Sequence, residues 1–178
     1  MGRPREPEPV KPVCGLLIND LELLGEVESR LHELFGAIED RTSLEPWQHS
    51  AYYAPDMGWR LWRGWYSFTS LASPERLAEW KLATNELESQ FAVSGHRRIN
   101  ADPGYLALLK MVLASTKDAP HRVYLRSGIF AEVTLVFERG AFRPLPHTYP
   151  DYASANALDF FSRVRQRYLA QRRARTDE

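Results

Sequence analysis

The sequence predicts an α+β domain, a mixed or mainly antiparallel sheet with helices packed mostly on one face. Three observations predict it. Val13–Ile18 is a short, nearly unbroken apolar run of the kind found in covered strands. Apolar residues recur at three and four in stretches beginning near Leu24, Leu77 and Leu158. From Val123 the apolar period falls to two. A chain of 178 residues, 44% hydrophobic and 26% charged, matches one globular domain with one substantial core.

Residues 1–9 alternate proline with charge and read as a flexible lead-in, so the single domain is expected over 10–170. After the first strand, Asn19 or Asp20 offers a helix N-cap, Leu24, Val27, Leu31, Leu34 and Phe35 form a stripe, and Gly36 ends it. The next stretch is dense in aromatics and punctuated by Pro46, Pro55 and Gly58, which favours strands and their connections. Ser73-Pro74-Glu75 combines a capping serine, proline at the first helical position and an early acid. Leu77, Trp80, Thr84, Leu87 and Phe91 supply the buried face of that helix, which leaves Lys81, Asn85 and Glu88 on an adjoining stripe.

Asp102-Pro103 looks like another N-cap followed by proline, and Tyr105, Leu108, Leu109, Val112 and Leu113 keep helical spacing. A helix over 103–114 is therefore expected. Val123, Leu125, Ile129, Ala131, Val133, Leu135 and Phe137 then face one way if a three-residue loop, Arg126-Ser127-Gly128, joins two strands. That register sets Tyr124 opposite Phe130 and Arg122 opposite Glu132. A tight turn at Arg139-Gly140 extends the meander, and a helix from about Ser154 buries Leu158, Phe161, Val164 and Tyr168. Residues 171–178 read as a basic, frayed tail. The β-α-β-β-α opening followed by a meander resembles an elaborated ferredoxin-like arrangement.

The 23 Lys and Arg balance the 23 Asp and Glu, so no global field recruits nucleic acid, an anionic membrane or an acidic substrate. A lone Cys14 leaves no internal disulfide and fits a reducing compartment. The first dozen residues have no apolar segment of a secretion signal, and no stretch reaches the roughly 18 apolar residues of a membrane span. A cytoplasmic protein is expected.

The strongest candidate site is Lys110, Ser115, Thr116, Lys117, His121 and Arg122, with Glu132 opposite. Two hydroxyls and a lysine in a loop that enters a strand through His-Arg can surround a phosphate or carboxylate with charge-assisted donors. The expected partner is a phosphorylated or nucleotide-like small molecule. The C-terminal dipole of the helix expected before the loop works against that reading. His121 is the candidate for proton transfer. Asp102, Asp118 and Glu132, with Asp151, are the candidate ligands for Mg²⁺, although carboxylates scattered along a chain have no readable spacing. The alternative is a non-enzymatic RNA or protein interaction module, using the aromatic-arginine segment YYAPDMGWRLWRGWYSF and the basic C-terminal helix for stacking and phosphate pairing.

Several blocks of this chain, PVCGLL, YYAPDMG, KLATNELE, NADPGYL, KMVLASTKDAPHRVYL, GIFAEVTL and HTYPDY, resemble in order the prokaryotic family known as domain of unknown function 4416. The resemblance covers about residues 10–170. It implies a cytoplasmic single-domain protein and brings no established reaction, cofactor or catalytic residue. Some relatives carry a GTP-binding label. No G-x-x-x-x-G-K-[ST] phosphate loop is present, and in Thr116-Lys117-Asp118 the aspartate comes one position too early for a guanine-reading loop.

Overall fold

The computed structural model describes residues 2–176. Among the described residues nine strands form one sheet: β1 (Lys11–Ile18), β2 (Ile38–Arg41), β3 (Glu45–Pro46), β4 (Trp62–Phe68), β5 (Ile99–Leu106), β6 (Lys110–Ser115), β7 (Val123–Arg126), β8 (Ile129–Glu138) and β9 (Ala141–Pro144). Their order is β2-β4-β1-β5-β6-β8-β7, with β3 on β4 and β9 on β8, and every pairing among the described residues is antiparallel. The helices are α1 (Leu24–Phe35), α2 (Ala54–Met57), α3 (Leu77–Gln90) and α4 (Ala155–Thr176).

The expected start and stop signals act where they stand. The Asp20 carboxylate accepts from the Glu22 N–H ahead of α1, and Gly36 closes that helix with φ of 91°. Ser73 accepts from the Glu75 N–H ahead of α3. Cys14, Leu16, Ile18, Tyr66, Phe68 and Ala101 pack against α1 and α3 on one face. Val13, Trp65, Leu106, Met111 and Leu113 pack against Phe160, Phe161, Val164 and Tyr168 of α4 on the other. Helices therefore cover both faces, because β1, β4 and β6 are apolar on both sides. Helix α4 continues to Thr176, so the tail expected from residue 171 is helical as far as it is described, and 177–178 lie outside the described residues.

The expected helix over 103–114 is replaced by strands β5 and β6. Apolar residues three and four apart suit two short strands covered on both faces as well as a helix, and here Met111 and Leu113 face α4 while Val112 and Ala114 face α3. Asp102-Pro103-Gly104 has a different role from a helix start. β5 and β6 pair only at Gly104↔Leu113, Tyr105↔Val112 and Leu106↔Met111. Pro103 has no N–H to continue the ladder, so pairing stops there and the two strands leave a fork. Gly104 sits where they close up, and a Cβ on it would overlap the Val112 carbonyl oxygen. Gly104→Ala is expected to cost about 1–3 kcal/mol by overpacking at a backbone contact, read as a lowered urea midpoint. An unchanged midpoint would show that the strands can separate freely.

The meander differs from expectation in two places. Ser127 and Gly128, both at positive φ (53° and 75°), form a two-residue turn, and an irregularity at Leu125 takes up the extra residue. Val123↔Ala131 and Tyr124↔Phe130 pair as expected, but Arg126 rather than Leu125 faces Ile129, and Val123 and Leu125 lie in solvent. A second register shift, between Met111 and Val112, sends Leu135 to the α4 face while Ala131 and Val133 stay with α3.

Candidate functional site

A cavity of about 460 Å³ occupies the fork, within the roughly 300–1,000 Å³ of small-molecule sites. The interruption in the sheet lets both faces contribute. Asn100 and Asp102 come from β5, and Leu113 to Lys117 from β6 and the loop after it. Lys81, Asn85 and Glu88 rise from α3, and Arg63 comes from β4. Tyr149–Tyr152, which leads into α4, and a segment with Trp47, Tyr52 and Tyr53 wall the remaining side.

Helix α3 replaces the strand that the fork lacks. The Ala101 N–H donates to Glu88 Oε1 at 2.9 Å, and Lys81 Nζ donates to the Ala101 carbonyl at 3.1 Å. Both backbone groups of an otherwise open strand edge are thus satisfied by side chains. Glu88 Oε2 accepts from Arg97 at 3.1 Å, Arg97 donates to Asn100 Oδ1 at 2.9 Å, and Asn100 donates to Asp102 Oδ2 at 2.8 Å. Burial raises the Glu88 pKa above the ordinary carboxylate value, with Lys81 and these donors opposing it.

Arg63 is buried, 4% exposed. Its Nη2 forms an ion pair with Asp151 Oδ2 at 2.8 Å and its Nη1 lies 3.5 Å from Asp102 Oδ2. The guanidinium lies 4.9 Å from the Tyr152 ring centroid and 5.4 Å from that of Trp65. Nε and Nη1 have no hydrogen-bond partner, and neither has the Tyr152 hydroxyl. Gly15 beneath them makes room, since a Cβ there would overlap the Tyr152 hydroxyl and approach Arg63 Nη2 to 2.9 Å. Burial works against the charge on Arg63, but Tyr152, Asp151 and Asp102 outweigh it and raise its pKa. Burial also raises the pKa values of Tyr53 and Tyr152.

At the other end Arg122 is fully committed. It donates from Nε to Glu132 Oε2 at 2.8 Å, from Nη1 to the Lys117 carbonyl at 2.9 Å and from Nη2 to the Tyr149 hydroxyl at 2.8 Å. Glu132, 2% exposed, also accepts from Thr134 at 3.1 Å. Arg122 is thus a clamp that joins three segments of the wall. Lys117 Nζ bonds the Tyr52 hydroxyl and lies 4.4 Å from the Tyr52 ring centroid.

The family described as Domain of unknown function (DUF4416) matches residues 8–168. The chain belongs to that family. Comparison with curated proteins and with solved structures finds no match. No helix among the described residues of this DUF4416 chain is long and apolar enough to cross a membrane.

Of the residues expected at a site, Ser115, Thr116, Lys117, Arg122 and Glu132 line the cavity, as does Asp102. Lys110 is exposed at the start of β6, opposite Val136, and does not line it. His121 does not line it either. Its ring stacks on His147 at 4.1 Å with Nε2 3.5 Å from Glu132 Oε2. No three His, Cys, Asp or Glu among the described residues, Asp102, Asp118 and Glu132 included, are grouped to hold a metal ion. Asp102 and Glu132 are instead occupied by cationic side chains, and Asp118 is exposed outside the lining.

Sequence reading missed Arg97, Asn100 and Tyr152, and it had Arg63 only within the aromatic-arginine segment and Asp151 only among the scattered carboxylates. The stripe of Lys81, Asn85 and Glu88 was the legible signal: three polar residues at helical spacing beside a buried face. Arg63 gave a weaker one, as a charge inside a strand whose two faces were both largely apolar.

Proposed function

We propose that this DUF4416 chain recognises a small anionic molecule of mononucleotide size, phosphorylated or nucleotide-like, in the fork cavity. The observation that carries the reading is Arg63, a buried cation in the cavity wall with two nitrogens, Nε and Nη1, that have no hydrogen-bond partner. Buried donors are almost always satisfied, so an unfilled guanidinium marks a place where a partner belongs. Trp47, Tyr52, Tyr53 and Tyr149 line the same space and suit a planar group. Ser115, Thr116 and Lys117 supply polar groups at its edge. With β6 in place of the expected helix, no C-terminal dipole opposes an anion at this loop. A specifically guanine-nucleotide ligand draws no support from the sequence, which has no phosphate loop.

The rival reading, an RNA or protein interaction module, draws less support. In the aromatic-arginine segment Arg63, Trp65, Tyr66 and Phe68 are buried, which leaves chiefly Tyr52, Trp59 and Arg60 to a partner. On α4, Arg163 and Arg167 pair with Asp40, and Arg165 donates to the Leu108 carbonyl. An elaborated ferredoxin-like fold is supported by the order β2-β4-β1-β5, in which β1-α1-β2 and β4-α3-β5 interleave. A cytoplasmic site of action is supported by the single buried thiol of Cys14.

The test is thermal unfolding of the whole chain in the presence of small anions. A true ligand at 100 times its Kd adds about 2.7 kcal/mol to native stability and raises Tm accordingly. Lys117→Ala, a substitution at an exposed residue, is expected to reduce that rise without changing the Tm of the free protein by much. A Tm that no nucleotide, sugar phosphate or aromatic acid moves would refute the proposal.

A further inference from the structure

We propose that the ligand carries one negative charge, as a carboxylate or a cyclic phosphodiester, and that its two oxygens take the place of the Asp151 carboxylate on Arg63. This rests on the anion site proposed above: a cyclic phosphodiester narrows the nucleotide-like reading, and a carboxylate keeps the site but departs from that ligand class. Five cationic side chains line the cavity, Arg63, Lys81, Arg97, Lys117 and Arg122, and four carboxylates face them, Glu88, Asp102, Glu132 and Asp151. Asp56, paired with Arg97 from outside the lining, offsets the fifth cation. The wall is therefore already neutralised one for one. A phosphate with two or more charges would enter a partly desolvated space with nothing left to balance it.

An exchange of one carboxylate for another keeps the balance. Nε and Nη2 form the side edge of a guanidinium, the edge that takes a two-oxygen anion in parallel. In Arg63, Asp151 engages Nη2, while the buried Nε has no hydrogen-bond partner. Asp151 thus covers half of an edge that a free carboxylate or phosphodiester fills completely. Asp151 also sits on a turn, between β9 and α4, whose neighbours Tyr149 and Pro150 are exposed. Stacking of Arg63 beside Trp65 and Tyr152 leaves its edge rather than its face for the ligand.

The experiment is thermal unfolding and titration calorimetry of the full chain with benzoate, indole acetate, cyclic AMP, inorganic phosphate, AMP and GTP. The monoanions are expected to raise Tm, and phosphate, AMP and GTP are not; comparison of the carboxylates with cyclic AMP separates the two sources of one charge. Asp151→Asn removes the competing carboxylate and is expected to tighten monoanion binding on the order of tenfold, the effect of one neighbouring charge, and to let AMP bind. Should that variant fail to fold, Asp102→Asn adds the same charge to the wall and is expected to admit AMP as well. If GTP or phosphate stabilises the wild type and the monoanions do not, the charge assignment fails while the cavity's role as an anion site stands. Monoanion binding that neither substitution alters would overturn the exchange with Asp151. No response to any probe would remove the proposed function and this inference together.

Discussion

Arg63→Met is expected to destabilise the protein by about 3–5 kcal/mol, the range for removing one partner of a buried ion pair. Asp151 is 2% exposed, and its carboxylate lies 2.8 Å from Arg63 Nη2. Methionine replaces much of the volume but none of the charge, so Asp151 is left ionised in an apolar surround or must take up a proton. Asp102 suffers less, because Lys81 at 3.7 Å and Asn100 at 2.8 Å remain. Urea unfolding of the single variant and of Arg63→Met with Asp151→Asn tests the account. The double variant should recover a large part of the loss; if it is no more stable than the single one, the cost lies in packing and not in the orphaned charge.

Arg122→Ala is expected to cost about 3 kcal/mol, toward the low end of the same range. Glu132 is almost fully enclosed and loses its principal cation, although Thr134 still donates to it. The substitution also frees the Lys117 carbonyl and the Tyr149 hydroxyl, so the loop after β6 and the turn before α4 lose their common anchor. Lys117→Ala is the contrast. Its side chain is exposed, and the loss is expected to stay below about 1 kcal/mol. Equal denaturation midpoints for the two variants would show that the Arg122 clamp contributes no more than a surface contact.

Much of the fold was legible because its signals are local. Asp20, Ser73 and Gly36 act on backbone groups within a few residues of themselves, so cap and stop can be read without knowing what the helix packs against. The pairing of Arg122 with Glu132 followed from strand alternation near a turn, and it holds even though the turn has two residues instead of three. The helix expected over 103–114 failed for a non-local reason. Spacing of three and four describes a buried helix and a pair of doubly covered strands equally well, and α4 approaching the second face favours the strands.

By itself, the sequence determined the antiparallel meander, the caps and main apolar stripes of α1, α3 and α4, and the polar loop at Ser115–Lys117, because each depends on neighbours a few positions away. Tertiary structure alone decided that Pro103 ends a ladder instead of starting a helix, that the resulting gap is closed by Lys81 and Glu88, and that Arg63 and Asp151 meet inside it. Residues as distant as 63 and 151 are brought together by strand order and by the path of α4 across the sheet. The charge on Arg63 has no local consequence that a pattern reveals; its meaning arises from burial beside Asp102, Asp151 and Tyr152, where desolvation makes every unfilled hydrogen bond costly.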